Sequence, residues 1–132
     1  MSQIPFDPTS PILLFECRLE FKSLAIFIMA LDTGSSYTII SEAAATQVGF
    51  DLSQVTEFAS FGDASTTHLV PKVTLKSFSL ADARIDSLEA LCYTIPEEHG
   101  IDGVVGLNFL RHFRITLDFE QGILTLDRFK GL

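Results

Sequence analysis

Leu24-Ala25-Ile26-Phe27-Ile28-Met29-Ala30-Leu31 runs without a polar residue into Asp32-Thr33-Gly34-Ser35-Ser36, and Tyr37-Thr38-Ile39-Ile40 follows. The apolar run reads as a buried strand, the next five residues as a tight turn, and the last four as the start of a second strand. A strand therefore delivers a carboxylate into a turn between two apolar segments. An ionisable group in that position is costly unless it is hydrogen-bonded or shares its charge with a partner. Asp, Thr and Gly are common turn residues, and a plain turn is the ordinary reading of the tripeptide. Ordinary turns have polar flanks, and these flanks are apolar, so Asp32 becomes the first candidate for chemistry.

Upstream, Leu13, Phe15, Cys17, Leu19 and Phe21 alternate with Leu14, Glu16, Arg18 and Glu20, a half-exposed strand that Lys22-Ser23 turns into the run ending at Asp32. Residues 1–10, with Pro5, Pro8 and Ser10, read as an extended arm with room to move, and residues 11–132 as one domain. Downstream, Ser41, an alanine-rich body and Gly49 predict a short capped helix. Strand-like stretches over 55–61 and 66–78 flank a turn at Phe61-Gly62-Asp63-Ala64-Ser65, and residues 80–93 read as strands joined near Ala83-Arg84. A loop at 96–100, about two turns of helix over 107–113, and a hairpin of 114–119 and 123–127 around Glu120-Gln121-Gly122 complete the pattern. The sum is a mostly β domain with one or two short helices.

A chain of 132 residues can bury a core without disulfides or metals. Twelve phenylalanines and no tryptophan supply it. The net charge of −8 and scattered basic residues argue against a nucleic-acid partner. The apolar run is too short to enter a bilayer as a span, and the N-terminus carries no secretory pattern. Cys17 and Cys92 sit in strand-like apolar contexts and read as buried thiols in a reduced, cytoplasmic protein. His68, His99 and His112 share no metal-ligand spacing and read as surface residues.

Val104-Val105-Gly106-Leu107-Asn108-Phe109-Leu110 is the second signal. Branched apolar residues ending at glycine suit a strand that passes close behind another backbone. A phosphate loop built on Gly103 and Gly106 lacks the preceding glycines and a lysine. Asp102 reads as a loop aspartate, with a cleft-bordering role as the alternative. Together with Leu31-Asp32-Thr33-Gly34-Ser35-Ser36, the second motif resembles the retroviral-type (retropepsin-like) aspartic proteases, in a cellular or bacterial branch, over residues 12–127.

That resemblance implies a closed β fold in which the two motif strands form a psi-shaped support for Asp32, covered by a flap at Phe61-Gly62-Asp63. It implies a homodimer acting on polypeptide substrate without metal or cofactor, because the family's reaction needs two facing aspartates and this chain has one Asp-Thr-Gly. Asp32 is then the catalytic group. Thr33 braces the two loops, Gly34 allows close approach, and Ser35 bonds the outer carboxylate oxygen, favouring an acidic optimum. Ser36, Phe61, Gly62, Asp63 and Val104 are the expected substrate contacts. Viral enzymes place an aspartate and an arginine where Ser36 and Leu107 stand, and both partners of that pair are absent together. The alternative to a protease is a non-catalytic dimerisation or peptide-binding module on the same fold.

Overall fold

The computed structural model describes residues 1–62 and 67–129, and the expected flap residue Asp63 lies outside them. Ten strands occur among the described residues: β1 (Ser2–Pro5), β2 (Leu14–Glu20), β3 (Leu24–Leu31), β4 (Thr38–Ser41), β5 (Phe58–Gly62), β6 (Thr67–Leu80), β7 (Ala83–Tyr93), β8 (Gly103–Val105), β9 (Phe113–Asp118) and β10 (Ile123–Arg128). Two short helices, α1 (Glu42–Gln47) and α2 (Leu107–Leu110), join them.

The strands form a sheet of order β2-β3-β8-β4-β7-β6-β5 and a smaller one of order β1-β10-β9. Because β2 also pairs with β6, the larger sheet closes on itself and leaves only β5 outside the ring. Closure hides the edges that an open sheet would present. The interior is filled by Leu19, Met29, Ile40, Leu75, Phe78, Leu80, Val105 and Phe109, all fully buried. Phe109 reaches in from α2 to meet Phe78 at 4.9 Å and Phe113 at 5.0 Å between ring centroids. Each such ring contributes roughly 1.5–3 kcal/mol by leaving water, which anchors α2, and with it the end of β8, to the barrel.

Local chemistry sets the boundaries. Ser41 caps α1, its hydroxyl accepting from the Ala44 N–H at 3.0 Å. Alternation in β2 buries Phe15, Cys17 and Leu19 and exposes the residues between them. The first half of β3 departs from the expected buried strand, for Leu24 and Ile26 are 56% and 55% exposed. An apolar run does not reveal its own period, and among the described residues no layer covers this outer face of the β2–β3 hairpin. The turn expected near Ala83-Arg84 falls instead at Ala81-Asp82, where Ala81 takes φ +51° without a glycine to signal it. The helix expected over 107–113 is a single turn, because Phe113 already pairs in β9. Residues 2–5 of the N-terminal arm are extended and paired with β10.

Candidate active site

β3 and β4 are joined through the Asp32 turn, and β8 lies between them, parallel to β3 and antiparallel to β4. This is the psi arrangement. Asp32 leaves β3 with its N–H donating to the Val105 carbonyl at 3.0 Å, so β8 holds the residue at the backbone. Its Oδ1 accepts from the Gly34 N–H at 2.9 Å, and the Ser35 N–H reaches the Asp32 carbonyl at 3.3 Å. Among the described residues no hydrogen bond is made to Oδ2 of Asp32. The carboxylate is half-buried, with Thr33 and Gly34 exposed beside it.

The glycines of the second motif are required by packing. A Cβ on Gly106 would lie 2.2 Å from the Tyr37 carbonyl oxygen, and one on Gly103 would lie 2.1 Å from that of Ile39. Only a bare backbone lets β8 pass this close to β4.

Asn108 secures the crossing. Its Oδ1 accepts from the Thr38 N–H at 2.8 Å and the Thr38 hydroxyl at 2.9 Å, while its Nδ2 donates to the Glu89 carbonyl at 2.7 Å. Thr38, fully buried, accepts in turn from the Gly106 N–H at 3.2 Å. The Leu107 and Asn108 N–H groups donate to the Ser35 and Ser36 carbonyls at 2.8 and 3.2 Å. The first turn of α2 is thereby tied to the back of the Asp32 loop.

Asp102 is neither a simple loop residue nor a cleft residue. Its carboxylate accepts from the Ile28 N–H at 2.9 Å, its own N–H donates to the Ile28 carbonyl at 2.7 Å, and its carbonyl accepts from Ser41 N–H at 2.8 Å. It joins β3 and β4 where β8 has not yet begun. The sequence signal that could have found it is its place one residue before a strand inserted between two others.

Ser35 differs from expectation. Its hydroxyl donates to the Tyr37 carbonyl at 2.6 Å, so its one proton is committed to the turn and not to the carboxylate. The Ser35–Asp32 bond that the resemblance implies is not made in this conformation.

A cavity of about 360 Å³ opens beside Asp32, lined mainly by apolar groups including Ile39, Phe61, Tyr93, Ile101 and Val104, with His99 at its margin. Phe61 lies 4.8 Å from Tyr93 between centroids and forms its roof. A second recess, about 210 Å³, lies beyond Phe61 and is bordered by Ser36, Tyr37, Ser60 and Gly62. Ser36, Phe61, Gly62 and Val104 thus border two recesses that both contain Gly34 and Ser35. Tyr37, which follows the first motif, and Tyr93, Ile95 and Ile101, from segments with no motif, join them as further lining residues. Beneath the β5–β6 hairpin, Ile39, Val70 and Leu91 form a small apolar cluster separate from the barrel core, with Ala59 and Phe61 packed on it. A larger recess of about 480 Å³ around Ser2, Asp82, Arg84 and Arg128 contains none of the motif residues. Among the described residues, His, Cys, Asp and Glu side chains assemble no group of three or more able to hold a metal ion, and no helix is long and apolar enough to cross a membrane.

A psi-held aspartate at the floor of an apolar cleft beneath a β-hairpin defines the retropepsin-like class of fold. Residues 25–109 match the family described as Aspartyl protease, and the chain belongs to that family. No curated protein matches it by sequence. Among solved structures it is similar to a retropepsin-like aspartic protease from Rickettsia conorii, with a TM-score of 0.74 and 16% identity over 95% of this chain and 89% of that one. It is also similar to the retroviral protease-like domain of Ddi1 from Leishmania major, with a TM-score of 0.61 and 15% identity over 90% of each chain. At these identities the likeness is one of fold.

Proposed function

We propose that the chain is a homodimeric aspartic endopeptidase in which Asp32 of each subunit supplies one of two facing carboxylates. The observation that carries this reading is the Asp32 carboxylate itself, anchored through Oδ1 to the Gly34 N–H and standing at the floor of the apolar cavity under Phe61. A fold freed from catalysis has no physical reason to keep a carboxylate there.

Two carboxylates about 3 Å apart cannot both ionise, so they share one proton, one acting as base and the other as acid. The ionised carboxylate takes a proton from a water held between them as that water attacks the peptide carbonyl carbon. The protonated one gives its proton to the carbonyl oxygen; the proton taken from the water then passes to the amide nitrogen while the second carboxylate takes one back from a hydroxyl of the tetrahedral adduct, which collapses to the acid with the amine leaving. Thr33 is exposed, and among the described residues its hydroxyl makes no hydrogen bond, which suits a group that braces the partner loop. Gly34 keeps the approach to substrate open, since a Cβ there would stand 3.2 Å from the Asp32 carboxylate. Ser35 stiffens the turn through Tyr37. Phe61, Gly62 and Val104 contact the substrate chain, with Ser36 at the edge of the second recess.

The test is cleavage of a diverse denatured peptide mixture between pH 3.5 and 7, wild type against Asp32→Asn. Products from wild type alone support the reading. A folded wild-type dimer that cuts nothing removes it in favour of a peptide-binding module, and a variant that cuts as well removes Asp32 as the catalytic group.

A further inference from the structure

The cavity beside Asp32 holds a second ionisable side chain that the reaction above does not use. His99 stands at its margin, and among the described residues that line it no other side chain is basic. The backbone that carries His99 is tightly drawn. Glu97–His99 form a single 3₁₀ turn, closed by the His99 N–H donating to the Pro96 carbonyl at 3.1 Å and the Gly100 N–H donating to the Glu97 carbonyl at 3.0 Å. Gly100 leaves the turn at φ +68°, a conformation that glycine takes without strain. The main chain thus fixes where the imidazole stands, while the ring itself is uncommitted. Among the described residues it makes neither a hydrogen bond nor an ion pair.

The surroundings of the ring decide what it can recognise. Glu97 and Glu98 share its turn but are not among the residues that line the cavity. Of the segments that face it, the Asp32 turn contributes one carboxylate and β7 contributes the phenol of Tyr93. Phe61 from β5 and Val104 from β8 do not titrate. The wall between is made by Ile39, Ile95, Pro96, Ile101 and Val104. A side chain lying along that wall meets hydrocarbon over its length and the imidazole at its tip. An apolar stem with a polar head suits such a path. The head must accept a hydrogen bond and carry negative charge, because a protonated imidazole is a cation with two N–H donors. Glutamate has that stem and that head, lysine and arginine carry the wrong sign, and leucine has no head to offer.

We propose that His99 is a specificity-determining residue of the cleft, and that the cavity beside Asp32 accepts a substrate glutamate, its stem on the apolar wall and its carboxylate on the imidazole. This assignment rests on the cavity being a substrate cleft, and it adds to that reading a side-chain class that neither motif announces. His99 is exposed, so water screens the pair. The preference for glutamate over its uncharged isostere glutamine is therefore about threefold to fivefold.

Matched peptides test it. A single Glu is scanned along an acetylated and amidated Ala–Leu peptide, and each member has a Gln twin. Binding is read by calorimetry on the Asp32→Asn protein, which stops cleavage and removes the neighbouring carboxylate from titration. At about pH 5.5 the best Glu peptide binds about threefold to fivefold more tightly than its twin, and by about pH 8, where an imidazole is neutral, the two bind alike. His99→Gln removes the preference at both pH values. His99→Lys keeps it at both, which a merely structural role for the residue does not predict. Equal binding of the twins at pH 5.5, or a preference that survives His99→Gln, overturns the assignment. Binding of neither series overturns it together with the cleft. Cleavage of the twins by wild type shows which reading has failed: equal kcat/KM values remove the role of His99 and leave the protease, whereas a His99-dependent binding preference without any cleavage sustains that role and removes the protease.

Discussion

Asn108→Ala should unsettle the back of the site without touching its front. The substitution removes the acceptor for the Thr38 N–H and hydroxyl and the donor to the Glu89 carbonyl. Thr38 is fully buried, so water reaches its N–H only through the space that the lost carboxamide leaves. A buried polar group left unpaired costs about 1–3 kcal/mol. With the Thr38 N–H and the Glu89 carbonyl both affected, and one water offsetting part of the loss, we expect a destabilisation of about 3 kcal/mol. That is a large share of the roughly 5–15 kcal/mol that holds a domain together. For a urea dependence of about 2 kcal/mol per molar it lowers the midpoint by about 1.5 M. Asn108→Asp, which keeps an acceptor for Thr38 but turns an oxygen toward the Glu89 carbonyl, should fall between. A double-mutant cycle with Thr38→Val should return a coupling of about 1 kcal/mol, since the hydroxyl bond is shared. An Asn108→Ala protein within about 0.5 kcal/mol of wild type, with no coupling to Thr38, refutes the claim that this side chain secures the crossing of β8.

Gly106→Ala should cost more than about 3 kcal/mol or prevent folding, because its Cβ meets backbone atoms of Tyr37 at 2.2 and 2.4 Å. Gly100→Ala, in open space at φ +68°, should cost only about 1 kcal/mol; equal losses in a denaturation series would refute the packing argument. Burial pushes the Cys17 and Cys92 thiols up to about 12, so native protein should resist alkylation at pH 8 and react only once unfolded. Since the fold favours the protonated thiols, their contribution to stability is complete below about pH 9, the ordinary thiol range, and is lost as pH rises toward 12; Cys17→Ala should flatten that decline in chemical denaturation. Phe61→Ala should lower kcat/KM about tenfold or more while moving the urea midpoint little, because its ring roofs the cavity and packs on Tyr93 outside the barrel core.

The legibility of this chain follows from which physical signals a sequence can carry. Alternation in β2 and in the closing hairpin marks strands because each has one buried face. Asp32 and Gly106 are visible because each breaks an apolar run, Asp32 with a charge and Gly106 with a residue that has no side chain to bury. Leu24 and Ile26 read as buried because an apolar residue looks the same whether or not anything covers it. Ala81 hides a turn because only the structure shows its positive φ. The role of Ser35 was open in principle, since a hydroxyl beside a carboxylate and a carbonyl has one proton to give. The ties made by Asn108 and Asp102 span 70 and 74 residues of chain, and no local pattern announces a partner so far away.

The positions of Ser36 and Leu107 connect these points. Where the related viral pattern has an aspartate and an arginine, this chain joins the same two segments through main-chain bonds, Leu107 N–H to the Ser35 carbonyl and Asn108 N–H to the Ser36 carbonyl. A carboxylate–guanidinium tie weakens as its acid is protonated, whereas an amide–carbonyl bond carries no titrating group. The link between α2 and the Asp32 loop is therefore insensitive to pH through the range in which a carboxylate dyad works. Introducing the charged pair would leave those main-chain bonds in place and add a tie that fades in acid. Its absence thus leaves the loop held by main-chain bonds, beside a recess that Ser36 and Gly62 border.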